Sequence, residues 1–131
     1  MNWKLILQLS LFGLVMALAT VWVIPSTIEP LAWLVIFPIC AYFIARRAPR
    51  GYFLHGLLVG IMNSVWITAA HVTFFNAYIA RHAREAEMMT RMPLAPKLMM
   101  LVTGPIVGIV SGIFLGILSL VVHRIVSTRV S

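Results

Sequence analysis

Residues 104–116 read GPIVGIVSGIFLG, with glycine at every fourth position. Aliphatic residues and one phenylalanine fill most of the gaps between Gly104, Gly108, Gly112 and Gly116, and no charge interrupts the run. Residues four apart lie on nearly the same side of a helix, so the glycines predict a shallow track about 18 Å long. In lipid, small residues favour helix association because they let backbones approach closely. The stretch therefore predicts a membrane helix that packs through its glycine face, against another span or a second copy.

The composition of the whole chain indicates a membrane protein. Of its 131 residues 62% are hydrophobic and 10% charged, whereas soluble domains are about a quarter charged. The net charge is +7, and the basic residues cluster at the ends of apolar segments. That placement is typical of membrane topology and contact with anionic lipids, not of nucleic-acid binding. We expect an all-α polytopic membrane protein in which four transmembrane helices form an antiparallel bundle, with residues 1–131 as a single domain.

Four apolar segments match the length needed to cross a hydrocarbon core of about 30 Å. They cover approximately residues 3–24, 28–45, 52–78 and 98–122. The first segment also contains Ala17-Leu18-Ala19 after a short basic start, which fits the cleavage site of a signal peptide. Because the apolar run continues to Ile24, the sequence favours a span that is retained.

The polar connection at residues 79–97 is rich in helix-forming residues. Glu87 and Arg91 have the spacing and order of a stabilising ion pair on a helix. We therefore expect the third helix to continue outward to about Met92, where Pro93 and Pro96 would stop it.

The basic residues near the spans predict the orientation. One side of the predicted membrane carries six of them, namely Lys4, Arg46, Arg47, Arg50, Arg124 and Arg129. The other side carries four, namely Arg81, Arg84, Arg91 and Lys97. Basic residues are enriched on the cytoplasmic side. The expected location is the bacterial inner membrane, crossed several times, with both termini in the cytoplasm.

The third segment carries the most polar residues of the four. Gly56, Gly60 and Ser64 repeat the four-residue spacing of residues 104–116. Asn63, Thr68 and His71 fall on the same broad side of the predicted helix. Lipid offers an amide or imidazole no partner, so this side should be buried against protein. These three residues form a candidate polar intramembrane site, although such a histidine more often only bonds to a neighbouring helix.

The sequence contains no motif for a catalytic or metal centre. It has no zinc-ligand spacing, no GxSxG and no P-loop, Asp is absent, and Glu29, Glu85 and Glu87 all lie in connections. Cys40 lies in an apolar run and is expected to be a small buried hydrophobe. We therefore expect no catalytic residue, metal or cofactor, and no enzyme.

Several methionines lie in or near the third connection: Met88, Met89, Met92, Met99 and Met100. Thioethers suit Cu(I). Methionine is also a flexible filler at membrane borders and partner surfaces, which is the interpretation that the sequence favours.

Three features carry a family resemblance. They are the sequence YFLHG at residues 52–56, the helical polar connection before Pro93, and the Gly108-x-x-Ser111 pattern in the last span. In this layout residues 46–126 resemble a family of small four-span bacterial membrane proteins, many of them from Bacteroidetes, whose function is unknown. The resemblance implies a four-helix membrane fold and assigns no activity to any residue.

Two functions remain open at the level of sequence. The first is an accessory or scaffold protein assembled through its glycine-lined helix faces. The alternative is a subunit of a small oligomeric transporter or channel, with the polar side of the third span lining a path. Expected partners are the lipid bilayer and a second copy or another membrane protein, and no nucleic acid. Burial of Asn63 and His71 against other helices of the same chain would favour the scaffold function. A water-accessible cavity beside these residues would favour transport.

Overall fold

A computed structural model describes residues 1–25, 27–91, 93 and 95–130, the last three by their backbone alone. Over these residues the chain forms helices and no strand. The helices are α1 (Trp3–Trp22), α2 (Glu29–Arg47), α3 (Tyr52–Thr73), α4 (Phe75–Arg81), α5 (Ala83–Thr90) and α6 (Pro96–Val130). Four of them, α1, α2, α3 and α6 as far as Ser127, are long and apolar enough to cross a membrane. The all-α class with four candidate spans is confirmed.

The third helix is shorter than the sequence predicted. The expectation of a continuous helix to about Met92 is wrong, since the helix breaks at Phe74 and again at His82; Met92 itself lies outside the described residues. At the second break the His82 ring donates from Nδ1 to the Tyr78 carbonyl at 2.8 Å. In a continuing helix that carbonyl would accept from the His82 backbone N–H, which instead donates to Ile79 at 3.2 Å. The side chain therefore helps to end α4.

The last helix is longer than predicted at both ends. It begins at Pro96, where the missing N–H costs nothing because the first N–H groups of a helix have no internal partner. It continues past Val122, since His123 still has neighbours to pack against. The His123 ring stacks on Tyr52 with centroids 3.8 Å apart, and its Nδ1 lies 3.5 Å from the Ala45 carbonyl oxygen.

Helix α3 is central in the bundle and has its most extensive contact with α6. The two run antiparallel, because Gly56 meets Gly116 while Thr68 meets Gly104. Helix α1 lies along α3 in the parallel direction, with contacts between Asn2 and His55 and between Thr20 and His71. Helix α2 packs parallel to α6, where the rings of Phe37 and Phe114 are 5.9 Å apart.

The core consists of two clusters, one at each end of the bundle. At what we call the His55 end, the cluster draws on all four long helices and comprises Leu5, Ile6, Leu9, Cys40, Ala41, Ile44, Ala48, Val59 and Leu115. At the opposite, His71 end it comprises Ala17, Val21, Ala70, Tyr78 and Met100, with no residue from α2. Every buried residue of α2 follows Pro38 in the chain. The expected burial of Cys40 is confirmed.

Candidate functional site: the cavity at the His71 end

The glycines of residues 104–116 lie against α3. A Cβ atom added to Gly112 would lie 2.6 Å from the Leu57 carbonyl oxygen, and one added to Gly116 would lie 2.7 Å from that of Phe53. From the other helix, a Cβ on Gly56 would lie 2.6 Å from the Gly116 backbone, and one on Gly60 would overlap Gly112. Only glycine permits backbones to approach this closely. The two small-residue patterns therefore face each other within one chain.

Toward the His71 end, hydroxyl side chains replace glycine on α3. The Ser64 hydroxyl adjoins Gly108, and the Thr68 hydroxyl adjoins Gly104. Ser64 donates its hydrogen to the Ile61 carbonyl of its own helix at 2.7 Å. On α6, Ser111 and Ser119 likewise donate to carbonyls of their own helix. The hydrogens of these three serines are therefore used within single helices and not across the interface.

The polar side of α3 is divided between two neighbours. Gly56, Gly60, Ser64 and Thr68 meet α6, whereas Asn63 meets α1 at Gly13, whose added Cβ would lie 2.7 Å from Asn63 Cα. Asn63 is 3% exposed. Neither the nitrogen nor the oxygen of its side-chain amide has a hydrogen-bond partner among the described residues. Asn63 is therefore buried as predicted, but its side-chain amide lacks the hydrogen bonds that a buried amide usually forms.

His71 also faces α1 and forms one hydrogen bond there. Its Nε2 lies 2.9 Å from Thr20 Oγ1. The Thr20 hydroxyl lies 3.1 Å from the Ala17 carbonyl, which can only accept. A hydroxyl has one hydrogen to donate, so His71 must be the donor to Thr20 through Nε2–H. In the neutral ring Nδ1 is then an acceptor, and no side chain or backbone group of the described structure bonds to it.

The ring of this histidine is the first of three stacked aromatic rings. The centroids of His71 and Tyr78 are 4.2 Å apart, and those of Tyr78 and His82 are 4.1 Å apart. Burial raises the pKa of Tyr78 from 10 to about 12, and the charges of Glu85 and Glu29 add to the effect. His82 Nε2 is buried without a partner in the described part of the chain. The stack holds α4 over the end of α3.

A cavity of about 310 Å³ lies between α3, α4, α5 and α6 at this end of the bundle. Ser64, Thr68 and His71 form its polar wall on α3, and methionines from α5 and α6 dominate the rest. Its lining residues are Ser64, Ile67, Thr68, His71, Tyr78, Glu85, Met88, Met89, Met99, Met100, Thr103, Gly104 and Val107. Two of the three predicted polar residues, Thr68 and His71, therefore border a cavity, while Asn63 does not.

Helix α5 contributes one face to this cavity. Glu85, Met88 and Met89, spaced i, i+3 and i+4, line it. The opposite face carries the predicted ion pair, Arg91 to Glu87 at 3.0 Å, with both side chains largely exposed. Sequence reasoning noted the methionines but not that Met88 and Met89 would meet Met99 and Met100. The spacing of 85, 88 and 89 on an otherwise charged helix was the available signal.

Two further features adjoin the site. A groove of about 370 Å³ lies on the other side of the α3–α6 contact and is lined mainly by aliphatic residues. A cavity of about 230 Å³ at the end of α1 is lined in part by Thr20, Arg81 and His82. Within the described ranges no group of three or more His, Cys, Asp or Glu residues is placed to hold a metal ion.

Comparisons with protein-family models, with curated proteins and with solved structures found no match to this chain. The resemblance of residues 46–126 to a four-span bacterial family therefore stays a prediction.

Proposed function

We propose that this chain is a non-catalytic accessory or scaffold protein of the bacterial inner membrane. Its glycine-lined helix faces form a rigid unit, a glycine zipper, inside one chain. The observation that carries the proposal is the mutual approach of Gly56 and Gly60 on α3 to Gly116 and Gly112 on α6. The glycine faces are then used internally, which leaves the lipid-facing surfaces of α2 and α6 for a second copy or another membrane protein.

Substitution of the glycines tests this proposal. Gly112→Leu or Gly108→Leu should abolish the monodisperse peak in detergent, because the new side chain would collide with Leu57 or Ser64. Val110→Leu is the matched control, since Val110 is on the same helix and 64% exposed. Elution and thermal stability of Gly112→Leu equal to those of Val110→Leu would contradict the packing role.

The proposed orientation places both termini in the cytoplasm. Arg47→Cys and Thr90→Cys lie on exposed residues at opposite ends of the bundle, while native Cys40 is fully buried. A membrane-impermeant maleimide added to intact cells should label Thr90→Cys and spare Arg47→Cys. Equal labelling of the two variants would overturn the orientation.

A transport subunit is the second candidate, and the cavity beside Thr68 and His71 favours it. Against a continuous path, Asn63 is closed off by Gly13 of α1. A water-soluble thiol reagent separates the two functions. If the reagent modifies Thr68→Cys but not Asn63→Cys, the cavity is closed at its inner end, which fits a scaffold. If the reagent modifies Asn63→Cys as well, a water-filled path continues through the bundle.

A further inference from the structure

We propose that the cavity at the His71 end binds a small uncharged phenol, an aromatic ring that carries one hydroxyl group. The ligand hydroxyl would donate to Nδ1 of His71, and its oxygen would accept a hydrogen bond from a hydroxyl of the lining. The aromatic ring would lie among the methionines. This inference goes beyond the scaffold role and does not depend on it, since all of the proposed contacts come from one chain.

His71 supplies an acceptor that the described protein leaves unused. Its Nε2–H donates to Thr20, because the hydrogen of Thr20 goes to the Ala17 carbonyl. In the neutral ring Nδ1 can then accept and cannot donate. The fully buried atoms without a partner in the described chain belong to Asn63 and His82, so Nδ1 of His71 remains accessible. Since His71 lines this cavity, a ligand hydroxyl can reach Nδ1 from it.

Hydroxyl groups in the same lining both donate and accept. Those of Tyr78 and Thr68 have no hydrogen-bond partner among the described residues and are not fully buried. Thr103 adds a third hydroxyl, whereas the Ser64 oxygen can only accept, because its hydrogen is bonded within α3. The rings of Tyr78 and His71 stack with centroids 4.2 Å apart, so their polar groups belong to one part of the cavity. A ligand hydroxyl donates one hydrogen and accepts another, and therefore matches both kinds of group.

The ionic character of the lining favours an uncharged ligand. Glu85 is the charged residue of the described lining, and it already has an interaction within the protein. The described lining contains no arginine or lysine. An ion that left water for this cavity would find no unengaged countercharge, and burying an ion costs far more than burying a hydroxyl that is hydrogen-bonded.

The size and apolar lining of the cavity suit an aromatic ring. Its volume of about 310 Å³ is at the lower end of the range for small-molecule sites, which is roughly 300–1,000 Å³. Methionines come from two sides, Met88 and Met89 from α5 and Met99 and Met100 from α6. Thioether sulfur atoms make favourable contacts with aromatic rings, often at the ring edge.

Helix α5 gives a route of entry. It has no buried residue, and few buried contacts make a segment easy to open. Its outer face carries the exposed Glu87–Arg91 pair, and a short amphipathic helix of this kind lies at the boundary between headgroups and acyl chains. A phenol concentrates at the same depth, as the phenolic side chain of tyrosine does. The ligand would reach the cavity from the membrane interface by displacing α5.

Three uncharged probes with the same ring system test the role of the hydroxyl: 2-naphthol, 2-methoxynaphthalene and 2-methylnaphthalene. The naphthol donates and accepts, the ether only accepts, and the hydrocarbon does neither. Binding to the full-length protein in nanodiscs at neutral pH is measured calorimetrically, with empty nanodiscs subtracted for partitioning. The naphthol should bind about fivefold more tightly than the ether, which corresponds to about 1 kcal/mol, as for one hydrogen bond. Equal affinities of the naphthol and the ether would overturn the proposal, as would a failure of the naphthol to bind.

Two charged probes test whether the ligand is neutral. The acid 2-naphthoate and the amine 2-naphthylmethylamine are ionised at neutral pH, and both should bind more weakly than 2-naphthol. Tighter binding of the amine would reveal an unengaged carboxylate in the cavity, and tighter binding of the acid would reveal an unengaged base. Either result would contradict an uncharged ligand.

A substitution of His71 locates the hydroxyl. His71→Phe keeps a flat ring beside Tyr78 and removes Nδ1, so it should lower the affinity for 2-naphthol to that for the ether and leave the ether unaffected. Asn63→Leu is the matched control, because Asn63 lies on the same helix, is buried against Gly13 and does not line the cavity. It should leave all three affinities unchanged. A preserved advantage of 2-naphthol in His71→Phe, or an equal loss in both variants, would refute the contact with Nδ1.

A larger side chain in the lining locates the aromatic ring. Met88 is 53% exposed and lines the cavity from α5. Met88→Trp should fill the space and weaken all three uncharged probes about tenfold, which corresponds to about 1.4 kcal/mol. Thr90→Trp is the matched control, because Thr90 is exposed on the same helix and does not line the cavity; it should leave the affinities unchanged.

Thermal unfolding confirms that each variant is folded. Unchanged affinity in folded Met88→Trp, or an equal loss in Thr90→Trp, would place the ligand elsewhere and refute the proposal.

Discussion

His55 and His71 lie on the same helix, α3, but at opposite ends of the bundle, and their rings differ in hydrogen bonding. His55 is 1% exposed, and both of its nitrogens are bonded. Nδ1 donates to the Gly51 carbonyl at 2.8 Å, and Nε2 accepts from the Asn2 backbone N–H at 3.1 Å. His71 has a partner for one nitrogen only among the described residues. At the His55 end the imidazole is a structural bridge, and at the His71 end it retains bonding capacity.

The difference follows from how the helices converge. At the His55 end all four long helices contribute to one cluster. Gly51 adopts φ +68° there, a left-handed conformation that favours glycine, and its carbonyl accepts from the His55 ring. At the His71 end, α2 contributes no residue to the cluster. The predicted third helix is divided there into α3, α4 and α5, and a cavity remains between the helices. One end therefore holds the fold together, and the other is available for binding.

The largest effect is expected from removing α1, which supplies both ends. A chain starting at Thr20 would lack Leu5, Ile6 and Leu9 from one cluster and Ala17 from the other. It should give no folded protein, judged by the loss of a monodisperse detergent peak.

The intact mass of the full-length protein purified from cells should include residues 1–19. A mass that lacks them, with a folded product, would show that α1 is a cleaved leader.

The two histidines should differ in their contribution to stability. His55→Leu loses both hydrogen bonds of the ring and leaves the part-buried Asn2 backbone N–H without its partner. It should lower the free energy of unfolding by about 1–3 kcal/mol. His71→Leu loses one bond at a half-buried site and should cost about 0.5–1.5 kcal/mol. Denaturant titration in detergent, followed by circular dichroism, measures both. If His71→Leu lowered the free energy of unfolding as much as His55→Leu, the two histidines would not differ in their contribution to stability.

Asn63 should be replaceable without loss of stability. Because its amide has no partner among the described residues, Asn63→Leu removes a desolvation cost and keeps the branching of the side chain at Cγ. The same titration should show stability unchanged or raised by about 1 kcal/mol. A clear destabilisation would mean that the amide bonds in the folded protein, and would place Asn63 with His55 among the structural polar groups.

The last effect appears only at alkaline pH and concerns the His71 end. Burial holds the pKa of Tyr78 at about 12 instead of 10. The folded state therefore keeps this proton more tightly than the unfolded state, so stability should fall as the pH rises from about 10 to about 12. Tyr78→Phe should flatten that part of the profile. An identical profile in the variant would show that Tyr78 does not titrate differently on folding.

Sequence reasoning was strongest where the signal is local. Apolar runs and prolines located the four long helices to within a few residues, except where α6 continued past Val122 and where the third helix ended at Thr73. The extension of α6 and the second break of the predicted third helix, at His82, have long-range or side-chain causes. His123 packs on Tyr52, far away in the chain, and His82 captures the Tyr78 carbonyl. Neither contact is encoded in helix periodicity.

The candidate site was only partly predictable for a similar reason. A helical wheel groups Asn63, Thr68 and His71, since they share one broad side of α3. It does not say that α1 meets Asn63 while α6 meets Thr68. The pairing of His71 with Thr20 and the meeting of methionines from α5 and α6 depend on helix packing. One sequence alone contains no record of which helices become neighbours.

The uneven burial of α2 has a consequence for how this protein meets bilayers of different thickness. Its buried residues all follow Pro38, and proline removes the backbone hydrogen bond that would stiffen the helix at that point. A helix whose hydrophobic length differs from the local bilayer adapts by tilting or bending, at a modest cost per ångström. Here the segment from Glu29 to Val35 can reorient while Phe37, Cys40 and Ala41 stay packed. Membrane thinning would then be absorbed by the first turns of one helix and leave the glycine contact between α3 and α6 undisturbed.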